Sequence, residues 1–241
     1  MINPLEQFVV KEIIPLEING WNLSLTNSAL FMILSAVIGL VILVVCLWRT
    51  QIIPGTPQML AETLYRFINK IGSEAMGDKA KPYLPFLFSV FVFIFMGNLL
   101  GLVPMGFTFT GQLIPVGAFA LLGLLVSSLI GIYNKGFSWF QTFMPAGIPR
   151  ILAPIVIPIE LISFVAKPFS LTVRLVMNMI VGHILLDIMA YFTTTSGLAG
   201  AFPLIFVLLM TVFELGIAFL QAYIYTILTS IYLGETVRVE H

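Results

Sequence analysis

The chain has 241 residues, 59% hydrophobic and 9% charged, with a mean hydropathy of +1.07. Soluble domains carry about 25% charged residues, and so few cannot cover a water-facing exterior. The composition indicates an integral membrane protein and excludes a nucleic-acid-binding or ordinary cytosolic role. Eleven Lys and Arg offset eleven Asp and Glu, so information lies in where the charges sit.

Residues 1–27 hold Glu6, Lys11, Glu12 and Glu17 and no apolar run with a small-residue cleavage site. The expectation is that no signal peptide is removed. Residues 28–48 form an uncharged run long enough to cross a hydrocarbon core of roughly 30 Å, closed by Trp48 and Arg49. Cys46, the one cysteine, lies inside it and reads as packing. Pro54, Gly55 and Pro57 then break the chain. Over 57–76, Leu60, Leu64, Phe67, Ile68 and Ile71 recur at helical spacing, with Glu62, Arg66, Lys70 and Glu74 at other positions. That pattern predicts an amphipathic surface helix. Residues 83–105 and 113–133 are two more uncharged spans, joined by an uncharged link at 106–112.

The C-terminal half departs from this pattern. Residues 150–192 are mostly apolar but contain Glu160, Lys167, Arg174, His183 and Asp187. As one helix the segment reaches about 64 Å, twice the membrane core. Residues 202–233, with Glu214 inside, reach about 48 Å. Either these segments break, with Pro154, Pro158 and Pro168 as candidate points, or they run strongly tilted as a hairpin joined near 193–200. The fold class expected is an all-α polytopic membrane protein: a single membrane domain over 1–241, with five membrane helices and one surface helix. With five crossings, eight cations (Arg49, Arg66, Lys70, Lys79, Lys81, Lys135, Arg150 and Arg238) fall on one side and only Lys11 on the other. By the positive-inside rule the C-terminus faces the cytoplasm or matrix, and 1–27 lies outside.

Two cations, Lys167 and Arg174, remain within the membrane. Intramembrane charge is costly and marks ion paths. Glu160, Lys167 and Arg174 are seven residues apart, so on a helix they lie within about 40° of one another, and Asn178 joins that stripe. His183 is a half-turn away in angle and about 13.5 Å further along, with Asp187 on its face. Glu214 and Gln221 share a face of the last segment, about 10.5 Å apart in height. Antiparallel packing brings Gln221 level with Arg174 as Glu214 comes level with His183. Arg stays protonated and cannot relay protons, whereas His and Glu can. A fixed cation beside a titratable pair reads as a half-channel ending at a barrier. The structural alternatives stay open: Arg174 as a cation paired with Asp187 or Glu160, His183, Asn178 and Gln221 as helix–helix hydrogen bonders, and Lys167 snorkelling to the interface. Tyr223, Tyr225 and Tyr232 read as packing or interfacial belt, and Asn98 is ambiguous. Two histidines, His183 and His241, do not make a metal site, and no cofactor is expected.

The run Lys167-Pro-Phe-Ser-Leu-Thr-Val-Arg174-Leu-Val-Met-Asn178-Met-Ile-Val-Gly182-His183 closely resembles the signature of subunit a of the rotary F-type ATP synthases. So does Glu214-Leu-Gly-Ile-Ala-Phe-Leu-Gln221, continuing to Tyr232-Leu. The resemblance extends to 3–8, 26–28 and 96–104, and the N-terminal matches look like the mitochondrial and alphaproteobacterial branch. It implies a non-catalytic, proton-translocating stator whose tilted hairpin wraps a rotor ring of c subunits. Peripheral-stalk membrane subunits and the lipid bilayer are its other partners. On Arg174 it places the family's essential arginine, which separates two half-channels. Asn178, His183, Glu214 and Gln221 match outer half-channel positions. Glu160 matches an inner one and Ser170 a nearby polar position; Lys167 and Asp187 are candidate polar lining to which the resemblance assigns no role. Some members carry an acid at the position of His183 and a His at that of Glu214. Thr172 departs from a more usual Gly or Ser, and Asp187 matches no family role. The membrane implied is the mitochondrial inner membrane, slightly favoured, or a bacterial plasma membrane. The rival reading is a self-contained proton channel or secondary transporter.

Overall fold

A computed structural model describes residues 9–15, 17–18, 21–22, 24–48, 51–103, 106–136, 139, 143, 152–195 and 200–237. The motif at 3–8, Arg49, Arg150, Arg238, His241 and the hairpin connection at 196–199 lie outside them. Among the described residues, four short strands precede the helices: β1 (Glu12–Ile14), β2 (Glu17–Ile18), β3 (Trp21–Asn22) and β4 (Leu25–Thr26). They pair antiparallel, β1 with β4 and β2 with β3. The described residues then form six α-helices: α1 (Asn27–Leu47), α2 (Thr56–Met76), α3 (Leu84–Gly101), α4 (Leu113–Lys135), α5 (Ala153–Thr195) and α6 (Ala201–Val237). Among the described residues, five helical stretches are long and apolar enough to cross a membrane: Asn27–Leu47, Thr56–Gly101, Leu113–Asn134, Ala153–Thr195 and Ala201–Val237.

The backbone divides into two compact units, each built from separated stretches. The first comprises Met1–Trp48, Val92–Val116 and Arg174–Ala222. At its start, Thr26 caps α1 by accepting from the Ala29 amide. Asn27 clasps the segment that leads into β1: its Oδ1 accepts from the Lys11 amide at 3.2 Å and its Nδ2 donates to the Val9 carbonyl at 3.1 Å. The short motif at 26–28 thus joins a helix cap to a clasp on the segment before β1. On α1 only Ser28, Ser35 and Gly39 are buried, and a Cβ on Gly39 would stand 2.8 Å from Val92 on α3. The remaining apolar surface of α1 suits lipid.

The second unit comprises Arg49–Phe91, Gly117–Val173 and Tyr223–His241. Pro57 sits in the first turn of α2, where its missing N–H costs nothing, and Gly77 at φ +63° ends the helix. Ala61, Ile68, Ile71 and Met76 of α2 are buried, whereas Arg66, Lys70 and Glu74 are exposed. Ser230 of α6 donates to the Ile71 carbonyl at 3.3 Å. Gly234, one turn on, lets the Ala75 backbone approach to a distance that a side chain would block.

Neither long segment breaks. Pro158 and Pro168 lie inside an unbroken α5 of 43 residues, and α6 runs for 37. Pro168 has no N–H to give the Phe164 carbonyl four residues earlier. The Tyr232 hydroxyl of α6 donates to that carbonyl instead, at 3.3 Å. The Phe164 and Tyr232 rings also meet edge-on at 4.9 Å, in a cluster with Phe143 and Trp139. Tyr225 likewise packs on Phe119, and Tyr223 on Phe67.

Candidate functional site

Arg174, Asn178, His183, Asp187, Glu214 and Gln221 all belong to the first unit; Glu160, Lys167 and Ser170 belong to the second. Within the first unit α5 has two faces. Arg174, Met177, Val181 and Ile188 form an exposed stripe, while Leu175, Met179, Gly182 and His183 are buried. Thus Arg174 and His183 occupy different faces, as the half-turn between them requires. On α6, Glu214, Ala218, Gln221 and Ala222 form the buried stripe.

Glu214 seats directly against Gly182. An ideal Cβ on that glycine would stand 2.9 Å from Cδ of Glu214 and would collide with its Oε1. The contact brings the Glu214 carboxylate to the residue next to His183. His183 and Glu214 are 8% and 5% exposed, so both titratable groups are held inside the protein. Gln221, also 5% exposed, lies two turns further along α6.

The third wall was not legible as site in the sequence. Asn98 of α3 is fully buried and its Nδ2 donates to the Ala218 carbonyl at 3.3 Å, between Glu214 and Gln221 on α6. The connection before α4 folds inward rather than outward. Phe107, Thr108, Phe109 and Thr110 are all buried, and Oγ1 of Thr108 lies 3.2 Å from Nε2 of His183. The position of Asn98 in the motif at 96–104 was the only sequence signal for this wall.

Several buried polar groups among this unit's described residues lack a protein partner. Oδ1 of Asn98, Oγ1 of Thr110, Oε1 of Gln221 and both carboxylate oxygens of Glu214 are buried and have no protein hydrogen-bond partner among the described residues. Buried acceptors are normally satisfied, and a set of them in one unit fits a hydrated path. Arg174 has no hydrogen bond or ion pair among the described residues, so pairing with Asp187 or Glu160 does not account for it. A bare guanidinium on the exposed stripe of a membrane helix requires protein or water against it. In the second unit Glu160 is half-buried, and Lys167 and Ser170 are exposed.

Residues 29–234 match the protein family described as ATP synthase A chain. The chain belongs to that family. The ATP synthase subunit a of Rhodospirillum rubrum is 41% identical over 239 residues, spanning 99% of each chain. That of Paramagnetospirillum magneticum is 40% identical over 245 residues, again 99% of each. That of Rhizobium johnstonii is 40% identical over 243 residues, or 98% of this chain and 97% of the relative. The match to the A chain family contains every candidate residue from Glu160 to Gln221, together with Asn98 and Thr108. An ATP synthase A chain is a component of a larger complex, and an exposed Arg174 with no ion partner among the described residues accords with that.

Proposed function

We propose that this chain is the ion-translocating stator subunit in the membrane sector of a rotary ATP synthase, non-catalytic by itself. The observation carrying this is the arrangement in the first unit. Two buried titratable groups, His183 and the Glu214 carboxylate at Gly182, sit on facing stretches of α5 and α6. Arg174 stands on the other face of α5 with no ion partner among the described residues.

In this reading a proton enters from the outer side and passes His183 and Glu214, with Asn178 and Gln221 lining the path. It neutralises a carboxylate on a rotor ring of c subunits that lies against the exposed stripe of α5. The ring turns with that carboxylate protonated. The proton leaves on the Glu160 side when the carboxylate nears Arg174. Ser170 and Lys167 are further polar lining there; Asp187 has no assigned step. Direct passage is blocked because a guanidinium does not titrate. The driving force is about 2.3 kcal/mol per charge per 100 mV, so several protons must pass for each nucleotide made.

The C-terminus faces the matrix or cytoplasm, and peripheral-stalk membrane subunits hold the chain against rotation. The membrane is energy-transducing, a bacterial plasma membrane or the mitochondrial inner membrane; bacterial relatives favour the former. The test is Arg174→Ala in the assembled complex. Coupled ATP synthesis should be lost while assembly, checked by co-purification, persists. Normal synthesis in that variant would refute the mechanism. Proton flux from this chain alone in liposomes would instead favour a self-contained channel.

A further inference from the structure

The inward-folded connection between α3 and α4 reaches the buried imidazole. Oγ1 of Thr108 lies 3.2 Å from Nε2 of His183 and donates to the Gly101 carbonyl at 3.3 Å. Gly101 ends α3, where helix carbonyls need partners from outside the helix. A carbonyl only accepts, and a threonine has one hydroxyl hydrogen. If that hydrogen goes to Gly101, Oγ1 presents a lone pair to His183, and Nε2 must carry the hydrogen between them. The reverse assignment leaves the Gly101 carbonyl without this partner beside a fully buried hydroxyl, which folded proteins avoid.

The hydroxyl is held in place from both sides. A Cβ on Gly101 would stand 2.7 Å from the Thr108 methyl, so only glycine admits Thr108 this closely. The next residue, Phe109, fills the notch at Gly97 and packs on Phe93 at 5.8 Å between ring centres. The geometry points to Thr108 as a positioning residue for the proton path. It fixes the His183 ring with its hydrogen on Nε2, and so makes Nδ1 the nitrogen that takes up and releases the translocated proton. The acidic groups around the ring are Asp187, one turn on along α5, and Glu214, set against Gly182 from α6. The 106–112 connection contributes no charge. This inference rests on the stator reading and adds to it the direction in which the ring faces.

The test combines spectroscopy and flux in the assembled complex. With 15N-histidine labelling, solid-state NMR distinguishes the two neutral tautomers, and a difference spectrum against His183→Gln isolates the His183 signal. The wild-type ring should be the Nε2–H tautomer, and Thr108→Val, which keeps shape but removes both hydrogen bonds, should give a mixture. Passive proton conduction through membranes stripped of the catalytic head should fall about tenfold in Thr108→Val. Thr108→Ser, which keeps the hydroxyl, should restore both signals. An Nδ1–H tautomer in the wild type overturns the inference without any variant. Loss of conduction in His183→Gln with none in Thr108→Val overturns the positioning role alone. Unchanged conduction in both overturns the stator reading at His183 as well.

Discussion

Replacing Gly182 with alanine is the smallest change that should disable the path without touching a titratable group. The added methyl would stand 2.9 Å from Cδ and 3.4 Å from Cγ of Glu214, and closer still to Oε1. Carbon atoms in contact prefer about 3.5–4.0 Å, so the carboxylate must retreat by about 1 Å. Two routes are open. Glu214 leaves its rotamer, at about 0.5–1.5 kcal/mol, or α5 and α6 separate locally, at about 1–3 kcal/mol. A misplacement of this size at a reacting group can cost up to about a hundredfold, and a loss of about tenfold corresponds to 1.4 kcal/mol. Passive proton conduction in head-stripped membranes carrying Gly182→Ala should therefore fall by about tenfold or more. Glu214→Asp in the same background withdraws the carboxylate by one methylene and should recover part of it. Gly123→Ala, whose Cβ meets only Thr229 Oγ1 at 3.8 Å among the described residues, is the control and should conduct normally. Normal conduction in an assembled Gly182→Ala complex would refute the placement of Glu214 on the path.

Two further outcomes concern stability. Tyr232→Phe removes the donor to the Phe164 carbonyl and should destabilise the purified complex by about 0.6–1.7 kcal/mol in thermal or denaturant unfolding. With Pro168→Ala, which supplies a backbone N–H, the same substitution should cost less; equal costs would show that the hydroxyl does not serve that carbonyl. Gly234→Ala should cost about 1–3 kcal/mol, because its Cβ would stand 2.6 Å from the Ala75 carbonyl oxygen and backbone cannot swing aside. Unchanged unfolding in Gly234→Ala would mean that the two backbones are not in contact.

The membrane helices were readable because uncharged length alone distinguishes a span, and α1 and α4 follow their apolar runs closely. The facing of Glu214 and the His183 region was readable because helical period converts spacing into angle and height. Those spacings set Glu214 opposite His183, and the contact falls on the neighbouring Gly182. What stayed hidden is what other elements contribute. The proline at 168 looked like a break, and nothing near it announces that a tyrosine 64 residues later takes over the lost hydrogen bond. Thr108 is 75 residues from His183 and sits in a link whose only visible property was its lack of charge. Its role depends on two glycines of α3, which in sequence are merely small residues in a helix.

That link also bears on how the protein can be handled and how it can diverge. Connections between helices are normally the permissive places of a chain, where insertions, epitope tags and labels do least harm. From Phe107 to Thr110 this one is as buried as a core strand, with Phe109 and Thr108 keyed into the notches at Gly97 and Gly101. An inserted residue would move both keys out of their notches at once. The stretch should therefore keep its length among relatives as strictly as a helix interior does, and a reporter placed there would report on a protein already pulled apart around His183.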